Sequence, residues 1–304
     1  MDQRYKTETQ EVSAQLINSN FLRKLEDGRT KEAQDEGSAF IRTKVRQEAF
    51  SREIIHPITL EDDEIDRDED TDQPKKIVEK EPDSLATFVT FQGTGPRTWF
   101  RGKRFAVKFG KTESQRFTKS KFELMTYQND IRKILSDNAV KDMADEEDKK
   151  FTETIDAIIA LNPAVQLTAS PAFNSTAFRK GFQAMVARRQ PIGKILLTKE
   201  LYYEALDLPA TSVGDAIATR HYDEGIESEE KLWGIPAVTT MKGDILSNKK
   251  AYIFAPENFL GCFFLLQDAT LYIKQEADII EFWCYAAPGL GIGNTLAAQV
   301  LQFT

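Results

Sequence analysis

A chain of 304 residues with 41% hydrophobic and 29% charged side chains has the balance of a globular protein able to bury a real core. Its net charge of −8 argues against a dedicated nucleic-acid binder, and two His and two Cys leave little for metal or acid–base chemistry. The first twenty residues are polar and the longest apolar run is only Phe259–Leu266, so neither a secretory signal nor a membrane span is expected, and folding in a cytoplasm is.

Residues Met1 to about Phe50 are polar, with Leu16, Ile17, Phe21, Leu22 and Leu25 at helical spacing and Gly28 and Gly37 as interruptions. A short amphipathic helix on an extended arm is expected there. Glu61–Asp72 then carries nine acids against Arg67 alone, a run expected to be solvated. From Lys75 the pattern reads as strand. Thr87, Val89 and Phe91 alternate, Gly93-Thr94-Gly95-Pro96 is a turn signal, and Phe105, Val107 and Phe109 alternate again, which predicts a long β-hairpin. Its second half is basic: Arg97–Lys121 holds nine bases and one acid, Glu113.

Next, Ile131, Leu135, Ala139, Met143, Phe151, Ile155 and Ile159 form a four-residue ladder broken only by Glu147, which predicts a long helix ended by Asn162-Pro163. Beyond it, Phe178–Arg188 reads as helix. Lys194–Thr198, Ala251–Ala255, Ala269–Lys274 and Ile279–Tyr285 read as strands, and Thr295–Phe303 closes the chain. The whole predicts an α+β fold. Cys262 and Cys284 are too far apart for a CxxC pair and lie in apolar stretches, so free buried thiols are expected.

No motif carries chemistry. Phe109-Gly110-Lys111-Thr112 ends like a phosphate loop, but Phe105 stands where its first glycine is required. Gly289-x-Gly291-x-Gly293 mimics a dinucleotide loop with only eleven residues after it, so close packing or unusual φ is the better reading. Asp68-x-Asp70-x-Asp72 with Glu79 echoes a calcium loop, but Gln73, Pro74, Lys75 and Lys76 break its pattern. His56 and His221 read as surface histidines. No catalytic residue, cofactor or metal ligand is therefore expected.

The order of parts resembles the Hong Kong 97-like major capsid protein of tailed bacteriophages. The local likeness lies in the C-terminal third, in Leu232-Trp233-Gly234-Ile235-Pro236-Ala237-Val238, Ala251-Tyr252-Ile253-Phe254-Ala255-Pro256, Leu266-Gln267-Asp268-Ala269-Thr270-Leu271 and Ala287-Pro288-Gly289-Leu290-Gly291-Ile292-Gly293-Asn294. The resemblance implies an N-terminal arm (1–50), an extended β-hairpin E-loop region (51–122), a long spine helix (123–162), a peripheral domain (163–198 and 245–304) and an axial domain (199–244). It implies a non-enzymatic shell subunit forming hexamers and pentamers, located in the virion after assembly in the host cytoplasm, and enclosing DNA without sequence-specific binding. A separate scaffolding protein is expected because only a short arm precedes the loop. A portal, and room for a decoration protein, complete the partners, and no membrane is involved. An encapsulin-like compartment is the nearest alternative, and a nucleotide-dependent enzyme the alternative from another class. The inter-subunit contact candidates are Arg97, Trp99, Phe100, Arg101, Lys103, Arg104 and Lys108 on the basic side, and Asp66, Asp68, Asp70 and Asp72 on the acidic side. Phe88, Phe91, Trp99, Phe100 and Phe105 are expected to need cover from neighbouring subunits.

Overall fold

The computed structural model of the chain describes residues 16–71, 73–80, 86–97, 99, 102–126, 131–206 and 231–303. Helix α1 (16–26) is followed by α2 (Thr30–Glu48) and, after Ala49, by α3 (Phe50–Ile54). The expected extended arm is therefore, from residue 16 on, helical and folded onto its own chain. Leu22, Leu25, Ala33, Ile41 and Val45 are buried, a stripe too apolar to leave in water. Gly37 does not interrupt α2, because the side chain of Leu271 packs where a Cβ would stand. That contact outweighs the roughly 1 kcal/mol a glycine costs inside a helix.

Strand β1 (Pro57–Thr59) precedes β2 (Asp66–Arg67), β3 (Pro74–Lys80) and β4 (Lys103–Lys108). The hairpin exists, but its first leg is not Thr87–Phe91. β3 pairs antiparallel with β4, from Lys75 opposite Lys108 to Lys80 opposite Lys103, while residues 86–97 join no ladder. Alternation alone cannot make a strand; it needs a partner for its N–H and C=O groups, and the strand that pairs with β4 is β3. Two short strands follow, β5 (Thr112–Glu113) and β6 (Phe117–Ser120), then α4 (Lys121–Thr126).

The ladder helix forms as α5 (Ile131–Leu135), a π-helical turn (Ser136–Val140) and α6 (Lys141–Leu161). All seven ladder residues are buried. A four-residue step advances about 40° round an α-helix, so a straight stripe would drift off the core. The wider π turn takes up part of that drift. Asn162 ends the helix and Pro163 opens the short α7 (Pro163–Gln166), as the dipeptide predicts.

The remainder holds β7 (Leu167–Ser170), α8 (Ser175–Ala187), β8 (Lys194–Thr198), α9 (Lys199–Leu206), β9 (Lys231–Leu232), β10 (Ile235–Thr240), β11 (Lys250–Phe254), α10 (Glu257–Leu260), β12 (Cys262–Glu276), β13 (Ile279–Gly291) and β14 (Ala298–Phe303). The described strands form three sheets. One runs β7-β14-β11-β8-β10-β9, one runs β1-β12-β13-β5 with β6 also on β13, and the third is β2-β3-β4. Among the described residues two main cores form. The first packs α3, the C-terminal half of α6 and α8 on the six-stranded sheet. The second packs α1, α2, α5 and the start of α6 on the distal half of the β12–β13 hairpin.

Gly289 and Gly291 lie in β13 rather than in a loop, and close packing is what they serve. Cβ atoms there would overlap Phe109 and Val107, and one at Gly293 would press on Phe105. The side chains of Phe105, Val107 and Phe109 thus pack against the end of β13. Gly291→Ala, pushed into the Val107 side chain, is expected to destabilise the fold by about 1–3 kcal/mol. An unchanged denaturant midpoint would show that this face is not tightly packed. Cys262 and Cys284 are free, and burial pushes the Cys284 thiol up to about 12, which leaves it inert at neutral pH.

Candidate interaction site

The β3–β4 ladder leads into a segment that carries three exposed aromatic side chains. Thr90 C=O accepts from Gly93 N–H at 2.8 Å and closes the turn at Phe91-Gln92. Phe88, Phe91 and Trp99 are fully exposed and Val89 is about half exposed. A single exposed apolar residue is ordinary, but three aromatic rings on one segment mark a surface meant to be covered. Burying each would contribute about 1.5–3 kcal/mol. Phe105 differs from the expectation. Its ring packs on Gly291 and Gly293 of its own chain and needs no neighbour.

The charged candidates divide. In register, Lys75 faces Lys108, a repulsive cross-strand pair. Asp68 resolves it, with Oδ1 3.3 Å from the Lys75 ammonium and Oδ2 3.6 Å from that of Lys108. These contacts, Lys75 first, hold the Asp68 carboxyl below its ordinary range. Asp66 Oδ2 accepts from Ile77 N–H at 3.2 Å, and Glu64 pairs with Lys76 at 3.5 Å. Part of the acidic run is therefore folded against its own hairpin rather than freely solvated. Arg104 pairs across the ladder with Glu79 at 2.7 Å, whereas Arg97, Lys103 and Asp70 are exposed. Phe100, Arg101 and Asp72 lie outside the described residues, as do His221 and most of the expected axial domain.

Sequence spacing does not single out a second constellation, in the interior. Arg52 of α3 grips Glu147 of α6 through two bonds of 2.7 Å, Nε to Oε2 and Nη2 to Oε1, and its Nη1 reaches Asp268 Oδ1 of β12 at 3.1 Å. Beside it, Asp148 accepts from Ser51 N–H (2.9 Å) and Phe50 N–H (3.3 Å), capping α3 from another helix. The Lys242 ammonium lies 2.6 Å from Asp148 and 3.0 Å from Asp145. Burial alone would lower Lys242, but these two carboxylates raise it above its ordinary value and keep it charged. Arg52, Glu147 and Asp148 are fully buried. One signal was available: Glu147 is the rung that breaks the apolar ladder. Its partner Arg52, 95 residues away, is not local.

The chemistry-like motifs resolve into structure. Gly110 N–H donates to Pro288 C=O at 3.0 Å, and Lys111 pairs with Glu113 at 3.0 Å and lies over the Tyr285 ring, so no phosphate cradle forms. His56 sits on the surface 2.7 Å from Glu257. Among the described residues no cluster of His, Cys, Asp and Glu could hold a metal ion, and no helix is long and apolar enough to cross a membrane.

No family model matches the chain, and no curated protein matches it in sequence. Solved structures match it in fold. The virus-like particle from Pyrococcus furiosus superposes with a TM-score of 0.58 at 14% identity, over 89% of this chain and 100% of that one. The mature capsid of bacteriophage PhiM1 gives 0.55 at 10% identity over 84% and 87%. The structure from Microbacterium phage Oxtober96 gives 0.59 at 10% identity over 84% and 91%. Identities this low speak for the fold alone. The chain has the Hong Kong 97-like capsid fold that its order of parts implies.

Proposed function

We propose that a chain with this fold works as the major capsid protein of a tailed bacteriophage, a structural and non-enzymatic subunit that closes into an icosahedral head around the genome. The observation that carries the reading is the segment with Phe88, Phe91 and Trp99 fully exposed, a surface suited to cover by a partner. A homo-oligomer of hexamers and pentamers supplies one covering neighbour for every segment. The division into arm (1–50), E-loop region (51–122), spine (123–162), peripheral (163–198 and 245–304) and axial (199–244) parts follows from the same reading, as do a separate scaffold, a portal and residence in the virion. An encapsulin-like compartment would build the same kind of shell; purified particles holding DNA rather than a protein cargo favour the capsid.

Light scattering on the purified chain tests this. Particles far heavier than the 34.5 kDa subunit are expected, alone or with a co-expressed scaffold. Compact monomers under every condition would contradict it.

The basic and acidic candidates add register to the contact. Arg97 and Lys103 are unoccupied by any described pair, and Asp70 is exposed, so pairing between neighbouring hairpins is available to them. Assembly should weaken as salt rises, since the screening length shortens from about 8 Å at 0.15 M to about 3 Å at 1 M. Replacing Asp70 with Lys should weaken assembly, and reversing Arg97 and Lys103 to Glu in the same chain should partly restore it. Assembly unaffected by the first change would refute the pairing.

A further inference from the structure

Among the described residues four segments pass from one main core to the other, and three of them, all but β13, carry charges at or beside the crossing. On the N-terminal segment, Ala49 belongs to the second core and Phe50 to the first, and Arg52 follows. On α6, Met143 and Ala144 belong to the second core and Phe151 to the first, with Glu147 and Asp148 between. On β12, Leu265 belongs to the first core and Ala269 to the second, with Asp268 between. The β12–β13 pairing also loses register there, between Leu265 and Gln267 and again between Gln267 and Thr270.

We propose that this charged layer is a locking joint that fixes the two cores at one angle and so sets the curvature of the shell that copies of the chain build. The proposal rests on the shell-subunit reading above. Apolar packing is non-directional, and repacked cores lose uniqueness before they lose stability. An irregular stretch of hairpin is a place where two cores can bend against one another. The Arg52 fork removes that freedom, because a bidentate guanidinium–carboxylate pair has one geometry and unpairing a buried charge is heavily penalised. Asp148 ties the start of α3 to α6, and Lys242 ties the loop after β10 to the same place. The charges facing one another are Arg46, Arg52 and Lys242 against Asp145, Glu147, Asp148 and Asp268, drawn from α2, α3, the β10–β11 loop, α6 and β12.

The test separates angle from stability. In the triple variant Arg52→Met, Glu147→Met, Asp268→Leu the buried ions become apolar groups of similar bulk, a replacement that ordinarily preserves folding. Circular dichroism should match the parent. Electron microscopy should show shells in more than one diameter class where the parent gives one. A single parental diameter would overturn the proposal. Should the triple variant fail to fold, Arg52→Lys, which keeps the charge and loses the fork, is read the same way with the same two outcomes. If the parent forms no shell, it is the shell reading that has failed. The joint is then tested on the isolated subunit by hydrogen exchange, where Arg52→Lys should speed exchange at Phe50, Ser51 and Ala269, and unchanged rates would overturn it.

Discussion

Replacing Phe88, Phe91 and Trp99 together with Ser is expected to abolish assembly and leave the subunit folded. These side chains are fully exposed in the isolated chain, so their loss removes no packing within it. In a shell each would be buried against a neighbour, and losing three such contacts removes roughly 5–9 kcal/mol per interface, at about 1.5–3 kcal/mol each. Since about 1.4 kcal/mol is a factor of ten in affinity, the loss exceeds what polar rim contacts recover. Light scattering should report subunits or small oligomers, and circular dichroism and the denaturant midpoint should be those of the parent. Shells at parental yield would show that the segment is not the contact.

The second large effect is within the subunit. Arg52→Ala leaves Glu147 and Asp268 buried and without their shared cation, and should cost about 3–5 kcal/mol of folding stability. Arg46→Ala is the control. Its guanidinium is mostly exposed and 4.0 Å from Asp268, so about 0–1 kcal/mol is expected. Urea unfolding of the two variants compares them directly. Equal midpoints would mean that the interior pair does not hold the fold.

The two predictions fall on opposite sides of what the sequence makes legible. Where apolar spacing is local and regular, the reading holds: Lys194–Thr198 is a strand with those bounds, and every apolar rung from Ile131 to Ile159 is buried. The exposed aromatic segment was visible because no local pattern could bury it. The strand expected at Thr87–Phe91 failed for the complementary reason. Its alternation is real, but alternation does not choose a ladder partner, and β4 pairs with Pro74–Lys80. The helix Thr30–Glu48 was hidden by Gly37, whose close approach to Leu271 joins residues far apart in the chain. The interior charges were hidden in the same way. Arg52, Asp148, Lys242 and Asp268 look like ordinary surface residues until the fold brings them together, and only Glu147, misplaced on an apolar face, announces itself.

Electron microscopy of the purified chain, expressed alone and with a scaffold, tests the central claim most directly. Closed shells are expected, with the segment carrying Phe88, Phe91 and Trp99 covered by an adjacent subunit. Particles that are absent under every condition, or shells in which that segment stands free in solvent, would contradict it.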